Sequence, residues 1–123
     1  MKWEQVFYQE IEQANQARQR KLEAKARVCA RRAANAIAQE YLQRLGYQPF
    51  RNAMQNFRWL QNHLPPNHPA QETLTHLVQK VNEDFSFPEH IDLIQEAYKL
   101  CDILLEEAHP LTGSSARKVQ TEQ

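Results

Sequence analysis

Glycine is scarce in this chain, and that scarcity constrains the fold more than any other feature. Only two glycines, Gly46 and Gly113, occur among 123 residues. A many-stranded β protein needs glycines for its tight turns, and a phosphate-binding loop needs them where the backbone approaches the phosphate. The sequence therefore excludes both and predicts a mostly helical fold. Its length is that of one domain, because autonomous domains cluster around roughly 100–150 residues.

Apolar residues recur at steps of three and four along five segments, as they do on the buried face of an α-helix. These segments predict helices over residues 2–18, 22–45, 50–64, 69–81 and 88–108. The second is rich in alanine, so neighbouring helices can approach it closely, and we expect it to be the central packing element. Gly46 follows it in the position of a C-terminal cap. Ser86 and Glu89 fit a capping box for the fifth helix, with Pro88 in its first turn.

The predicted architecture is an all-α, single-domain bundle of four to five helices with antiparallel-type packing, covering residues 1–110. Residues 111–123 contain few apolar side chains, so we expect a disordered C-terminal tail. No apolar run approaches the roughly 18–20 residues that span a bilayer. Residues 1–6 also lack the uninterrupted apolar stretch of a signal peptide. These features predict a cytoplasmic protein with no membrane association.

Two cysteines, Cys29 and Cys101, lie inside the helical patterns. A pair of thiols is too few for a disulfide framework or for a four-thiolate zinc site. Neither cysteine has a histidine at helical spacing that would activate it as a nucleophile. We expect both to be reduced thiols of the core.

Three histidines, His63, His68 and His76, lie around the proline-rich turn between the third and fourth predicted helices. Their spacing matches no metal-ligand pattern, and no nearby cysteine or carboxylate cluster completes a site. The carboxylate pairs at 83–84 and 106–107 are adjacent in sequence, so on a helix their members diverge by about 100°. The sequence predicts no metal site and no cofactor.

Arg58 and His63 form the best enzymatic candidate. An arginine and a histidine at this spacing can meet near a helix terminus. There His63 would transfer protons, and Arg58 would stabilise a phosphoryl anion during RNA cleavage by the ribose hydroxyl. The alternative is that both are solvated residues of an amphipathic helix, since short motifs of this kind arise often by chance. We favour the alternative.

Charge is strongly polarised along the chain. Residues 1–60 contain eleven Lys/Arg and five Asp/Glu, net +6, whereas residues 61–123 contain four and ten, net −6. If the segment is helical, four basic residues lie in one stripe along it: Arg18, Lys21, Lys25 and Arg32. Such a stripe is typical of a nucleic-acid-binding face. The alternative is that they pair with the acidic half of the same molecule or stay solvated, which the neutral overall charge favours.

The second predicted helix reads ARVCARRAANAIAQEYL over residues 26–42. This helix, within the five-helix layout, resembles the HEPN superfamily of small bacterial helical domains over about residues 3–108. Many members are metal-independent ribonucleases with an R-x4–6-H motif, often toxins paired with a minimal nucleotidyltransferase, and others are non-catalytic and serve binding or dimerisation. Arg58 and His63 have the spacing of this motif, and the resemblance implies that they are its arginine and histidine. Trp59 follows the arginine where active members usually have a polar residue.

Two functional hypotheses follow. The first, which we favour, is a non-catalytic binding or dimerisation module of HEPN-like type. The second is a metal-independent, toxin-like ribonuclease that uses the R-x4-H pair Arg58 and His63. We expect a homodimer, because a bundle this small leaves apolar surface for a second copy, and because the basic stripe can face an acidic region of the mate: Glu83, Asp84 and Glu89. The resemblance also implies a nucleotidyltransferase-like protein and RNA as partners.

Overall fold

A computed structural model describes residues 2–80, 87–88 and 90–105. Five helices are found in these ranges, which contain no strand: α1 (Trp3–Gln19), α2 (Glu23–Arg44), α3 (Ala53–His63), α4 (Ala70–Leu77) and α5 (Leu93–Leu105). The predicted all-α bundle is confirmed. Among the described helices, none has the length and apolar character that a membrane span requires. The tail expected at 111–123 lies outside the described residues.

The alanine-rich helix α2 is the central element, as predicted. It packs against α1, α3 and α5. Its buried face consists largely of side chains too small to hold neighbouring backbones apart: Ala26, Ala30, Ala33, Ala34, Ala36 and Ala38. Larger side chains from all five helices form one core cluster around it, among them Phe7, Ile37, Phe57, Leu74 and Leu100. Burial of each large side chain contributes about 1.5–3 kcal/mol and is the main force that holds the bundle together.

The turn between α1 and α2 contains a left-handed residue. Lys21 has a φ of 63°. This conformation lets Leu22 N donate to Ala17 O at 2.8 Å and Lys21 N donate to Arg18 O at 2.9 Å. The two bonds are those of a Schellman cap, a position that favours glycine because a Cβ is strained there. The short turn makes α1 and α2 an antiparallel hairpin.

Replacing Lys21 with glycine is expected to raise the free energy of unfolding by roughly 0.5–1 kcal/mol. Relief of the left-handed strain exceeds the chain entropy that glycine adds to the unfolded state. Thermal unfolding followed by circular dichroism would show the gain as a higher Tm. Lys25→Gly, inside α2, is the matched control and should cost about 1 kcal/mol. An unchanged or lower Tm for Lys21→Gly would contradict the assigned strain.

The predicted cap at Gly46 is confirmed. Gly46 has a φ of 91°, in the region that side chains disfavour. Its N donates to Gln43 O, and Tyr47 N donates to Leu42 O, both at 2.9 Å. These bonds satisfy the last carbonyls of α2 and turn the chain into the connector that leads to α3.

The predicted start of α3 at residue 50 is wrong, because the helix begins at Ala53. Asn52 caps it there, since its side chain accepts from Gln55 N at 3.2 Å. The helix ends at His63, before Pro65, as the proline predicted.

The predicted end of α4 at residue 81 is also wrong, since the helix ends at Leu77. The side chain of Arg31 meets this end from α2. Its Nε donates to Leu77 O at 2.9 Å, and a terminal nitrogen donates to Gln79 O at 2.6 Å. The guanidinium therefore satisfies carbonyls that a longer helix would have bonded itself.

The predicted start of α5 at residue 88 is wrong as well, since the helix begins at Leu93. Pro88 lies in non-helical backbone before it. Asp92 caps the helix, because its Oδ1 accepts from Ile94 N at 3.0 Å. The two ends of the predicted capping box lie outside the described residues: Ser86 and Glu89.

Candidate binding surfaces

The candidate catalytic pair, Arg58 and His63, lies on α3 with both side chains exposed. Residues five apart on one helix point about 140° away from each other around its axis. His63 Nδ1 donates to Trp59 O at 2.8 Å. Arg58 makes no hydrogen bond or ion pair with another described residue. The structure does not bring the two side chains together.

An aromatic stack occupies the corner between α2 and α3. The ring of His63 lies almost parallel to that of Trp59, with centroids 3.7 Å apart and an interplanar angle of 8°. Tyr47 contacts Trp59 with centroids 4.9 Å apart at 56°. Tyr47 is 53% exposed, and His63 is also exposed. We call these three rings, with the neighbouring Arg58, the aromatic corner.

A buried asparagine fixes the connector on which Tyr47 lies. Asn56 of α3 is fully buried. Its Oδ1 accepts from Phe50 N at 2.9 Å, and its Nδ2 donates to Phe50 O at 3.0 Å. The same Nδ2 donates to Asn35 Oδ1 on α2 at 2.8 Å. Both polar atoms of the side chain are bonded, and the bonds tie the connector to the two flanking helices.

The chain around the aromatic corner contains no acidic residue. Residues 41–71 lack Asp and Glu but include Arg44, Arg51 and Arg58. Arg44 Nε is paired with Glu40 at 2.8 Å. The other two arginines are exposed and bond to no described residue. This stretch of the chain therefore has a net positive charge.

Exposed apolar side chains concentrate at the same place. Leu45, Tyr47 and Phe50 are three of the six large hydrophobic residues exposed in the described part of the chain. Sequence reasoning missed this surface, because it considered Arg58 and His63 only as a catalytic pair. The signal that could have located it is the acid-free, aromatic-rich stretch at 41–71.

The structure does not place the predicted basic stripe on a single helix, because the turn at residues 20–22 interrupts it. Arg18 lies at the end of α1 and binds Glu23 at 3.0 and 3.1 Å and Asp92 at 3.1 and 3.2 Å. These hydrogen bonds, those to Glu23 first, raise the pKa of the guanidinium. The other three residues are exposed and pair with no described residue, and we call them the basic face: Lys21, Lys25 and Arg32.

Two further arginines of α2 lie over Phe87. The guanidinium carbons of Arg27 and Arg31 are 4.8 and 5.8 Å from the centroid of its ring. Burial, with the nearby charge of Arg27, lowers the pKa of Arg31. Arg27 and Phe87 also line a cleft of about 280 Å³, together with the ion-paired Arg18 and Asp92. Arg31 caps α4 and Arg18 is paired with carboxylates, so both arginines hold elements of the bundle together.

A buried carboxylate joins α4 to α5. Glu96 of α5 is 4% exposed. Its Oε1 lies 3.0 Å from His76 Nδ1 of α4, and its Oε2 accepts from Lys99 Nζ at 3.2 Å. His90 meets His76 edge-on with ring centroids 6.3 Å apart. Within the described ranges, no group of three His, Cys, Asp or Glu is placed to hold a metal ion.

The cysteines are free and buried, as predicted. Burial, followed by the charge of Asp102, raises the pKa of Cys101 to about 12. Burial likewise raises the pKa of Cys29. Since the thiolate is the reactive form, these protonated thiols serve packing rather than catalysis.

Comparison of the chain with protein-family models, with curated proteins and with solved structures finds no match. The fold and the surfaces define the class of protein as a five-helix bundle, over the described residues, with an exposed aromatic corner. The HEPN resemblance stays a prediction from the helix layout and the alanine-rich helix.

Proposed function

We propose that this chain is a cytoplasmic, non-catalytic binding and dimerisation module of the HEPN-like type. One observation carries the proposal: Arg58 and His63 diverge on α3, and His63 is held against Trp59 by both its ring and its Nδ1. A general acid or base must reach the proton it transfers, directly or through one water. The arrangement suits binding better than proton transfer, and the aromatic corner is the proposed binding surface.

The composition of the corner supports this role. Tyrosine, tryptophan and arginine are the residues that contribute most to binding energy at macromolecular interfaces. Tyr47 and Trp59 are in contact there, Arg58 precedes Trp59 on α3, and Leu45 and Phe50 expose apolar surface on the connector that carries Tyr47. A nucleotidyltransferase-like protein, which the family resemblance implies, is a further candidate partner.

Incubation of purified protein with labelled RNA tests the non-catalytic assignment against the ribonuclease alternative. We expect the RNA to stay intact with the wild type and with the variants Arg58→Ala and His63→Ala. Cleavage by the wild type that each substitution abolishes would overturn the proposal. Asn62→Ala, an exposed change on the same helix, is the matched control and must leave any genuine cleavage unaltered. Cleavage of equal rate in all variants identifies a contaminating nuclease.

Sedimentation across a salt series tests the proposed homodimer. Exposed ion pairs contribute only about 0–1 kcal/mol each and are screened by salt, so a dimer formed through the basic face should dissociate as salt rises. A dimer formed through the exposed apolar residues should not. The acidic region expected opposite the basic face lies outside the described residues: Glu83, Asp84 and Glu89. A single 14.5 kDa species at every protein and salt concentration would contradict dimerisation.

A further inference from the structure

We propose that the cleft between the start of α2 and the segment before α5 binds a small monocarboxylate with an apolar body, and that Arg27 is its anion contact. The cleft has a volume of about 280 Å³. It suits a ligand of about ten non-hydrogen atoms, since one water occupies roughly 30 Å³. The inference goes beyond the proposed function, because the cleft shares no lining residue with the aromatic corner.

Arg27 supplies the positive charge of the site. Its partly buried side chain lines the cleft, with the guanidinium carbon 4.8 Å from the ring centroid of Phe87. It forms no hydrogen bond or ion pair with another described residue, so its five N–H donors are available. Arg31, one turn further along α2, differs because it donates to Leu77 O and Gln79 O. Arg27 is therefore held beside the ring with its donors free for an anion.

The other charged side chains of the cleft limit the ligand to a single negative charge. Arg18 donates to Glu23 at 3.0 and 3.1 Å and to Asp92 at 3.1 and 3.2 Å. Asp92 also accepts from Ile94 N as the cap of α5. These bonds hold both carboxylates in place, but two carboxylates and one guanidinium still repel a dianion. The cleft therefore favours a carboxylate at Arg27 over a doubly charged phosphate.

The remaining walls of the cleft are apolar. They consist of Phe87, Pro88, Ile91 and Leu93. Ile91 and Leu93 belong to the core cluster, so this part of the wall is fixed by the packing of the bundle. Apolar walls with a few polar groups that orient the ligand are the usual form of a small-molecule site. One cation beside such walls selects a molecule with one carboxylate and an apolar body, such as an arylacetic acid or a short fatty acid.

Titration of the full chain with phenylacetate, followed by NMR, tests the proposal. Phenylacetate joins one carboxylate to a flat apolar body of the required size. We expect it to shift the side-chain Nε–H signal of Arg27 and the backbone amide signals of Ile91 and Leu93. Three matched compounds are titrated beside it: 2-phenylethanol lacks the charge, acetate lacks the body, and 2-phenylethylamine has the opposite charge. Each should bind at least tenfold more weakly than phenylacetate, because a hydrogen bond to a charged group and the covered apolar surface both contribute.

Substitutions of Arg27 then test the named contact. Arg27→Gln is expected to weaken binding of phenylacetate at least fivefold, because it removes the charge that the carboxylate meets. Arg27→Lys keeps the charge and should retain more affinity than Arg27→Gln, which separates loss of charge from loss of packing on Phe87. Arg20→Gln, at an exposed arginine outside the cleft, is the matched control and should leave the affinity unchanged. Circular dichroism verifies that each variant is folded.

Four results would overturn the inference. The first is the absence of any shift at Arg27 up to the solubility limit of phenylacetate, and the second is an affinity that Arg27→Gln leaves unchanged. The third is binding of 2-phenylethanol or 2-phenylethylamine as tight as that of phenylacetate, since the charge of Arg27 would then not select the ligand. The fourth is tighter binding of inorganic phosphate than of phenylacetate. None of these outcomes bears on the non-catalytic assignment, which fails only if RNA is cleaved in dependence on Arg58 and His63.

Discussion

Asn56→Ala is expected to lower the free energy of unfolding by about 2–3 kcal/mol, a large fraction of the roughly 5–15 kcal/mol that stabilises a small domain. The substitution removes three hydrogen bonds at a site with no exposed surface. It leaves the N–H and C=O of Phe50 and the amide oxygen of Asn35 without these partners. Urea unfolding measured by circular dichroism should show a lower midpoint at an unchanged m value.

The matched control is Asn62→Ala, which makes the same chemical change on the exposed surface of α3. It should alter stability by no more than about 0.5 kcal/mol. Asn56→Ala should also loosen the connector and disturb the contact of Tyr47 with Trp59, which tyrosine and tryptophan fluorescence report. Equal stability of the two variants would show that the buried amide does not hold the corner in place.

Glu96→Ala is expected to cost about 2–3 kcal/mol. The carboxylate is buried between α4 and α5, and its removal leaves His76 Nδ1 buried without a charged partner. It also leaves a cavity where the side chain packed. Loss of the ion pair with Lys99 adds little to this cost, because the Lys99 side chain is 59% exposed and exposed ion pairs contribute only about 0–1 kcal/mol.

Glu96→Gln separates the contribution of charge from that of volume. It keeps the volume and a polar atom near His76, so it should cost less than the alanine variant. Glu72→Ala, an exposed glutamate on α4, is the matched control and should have an effect near zero. A loss for Glu72→Ala as large as that for Glu96→Ala would contradict the role assigned to the buried cluster.

The helices themselves were predictable from the sequence, because apolar periodicity and the local residues that end a helix determine them. Gly46 ends α2 and Pro65 follows the end of α3, and both act through their own backbone. Boundaries that depend on other residues were less predictable. Asn52 and Asp92 are residue types that favour helix caps, but the patterns at 50 and 88 also resemble helix starts, so the starts of α3 and α5 were predicted too early. The end of α4 depends on Arg31, which lies on another helix.

The binding surface was only partly predictable. The sequence identified Arg58 and His63, and helical geometry alone explains why they diverge. The tilted contact of Tyr47 with Trp59 joins residues in different elements, so it requires the packed corner and the connector that Asn56 fixes through Phe50. The basic stripe assumed one continuous helix through Lys21, whereas the left-handed turn there separates Arg18 from α2.

Chemical modification of histidines tests most directly whether the aromatic corner is the binding surface. Diethyl pyrocarbonate acylates exposed imidazoles, and His63 and His90 are both exposed on different parts of the molecule. Mass spectrometry measures the modification rate of each in dilute protein and in protein concentrated enough for the proposed homodimer to form. The account predicts that dimer formation slows modification of His63 severalfold and leaves His90 unchanged. Equal rates at His63 in the dilute and the concentrated protein would contradict it.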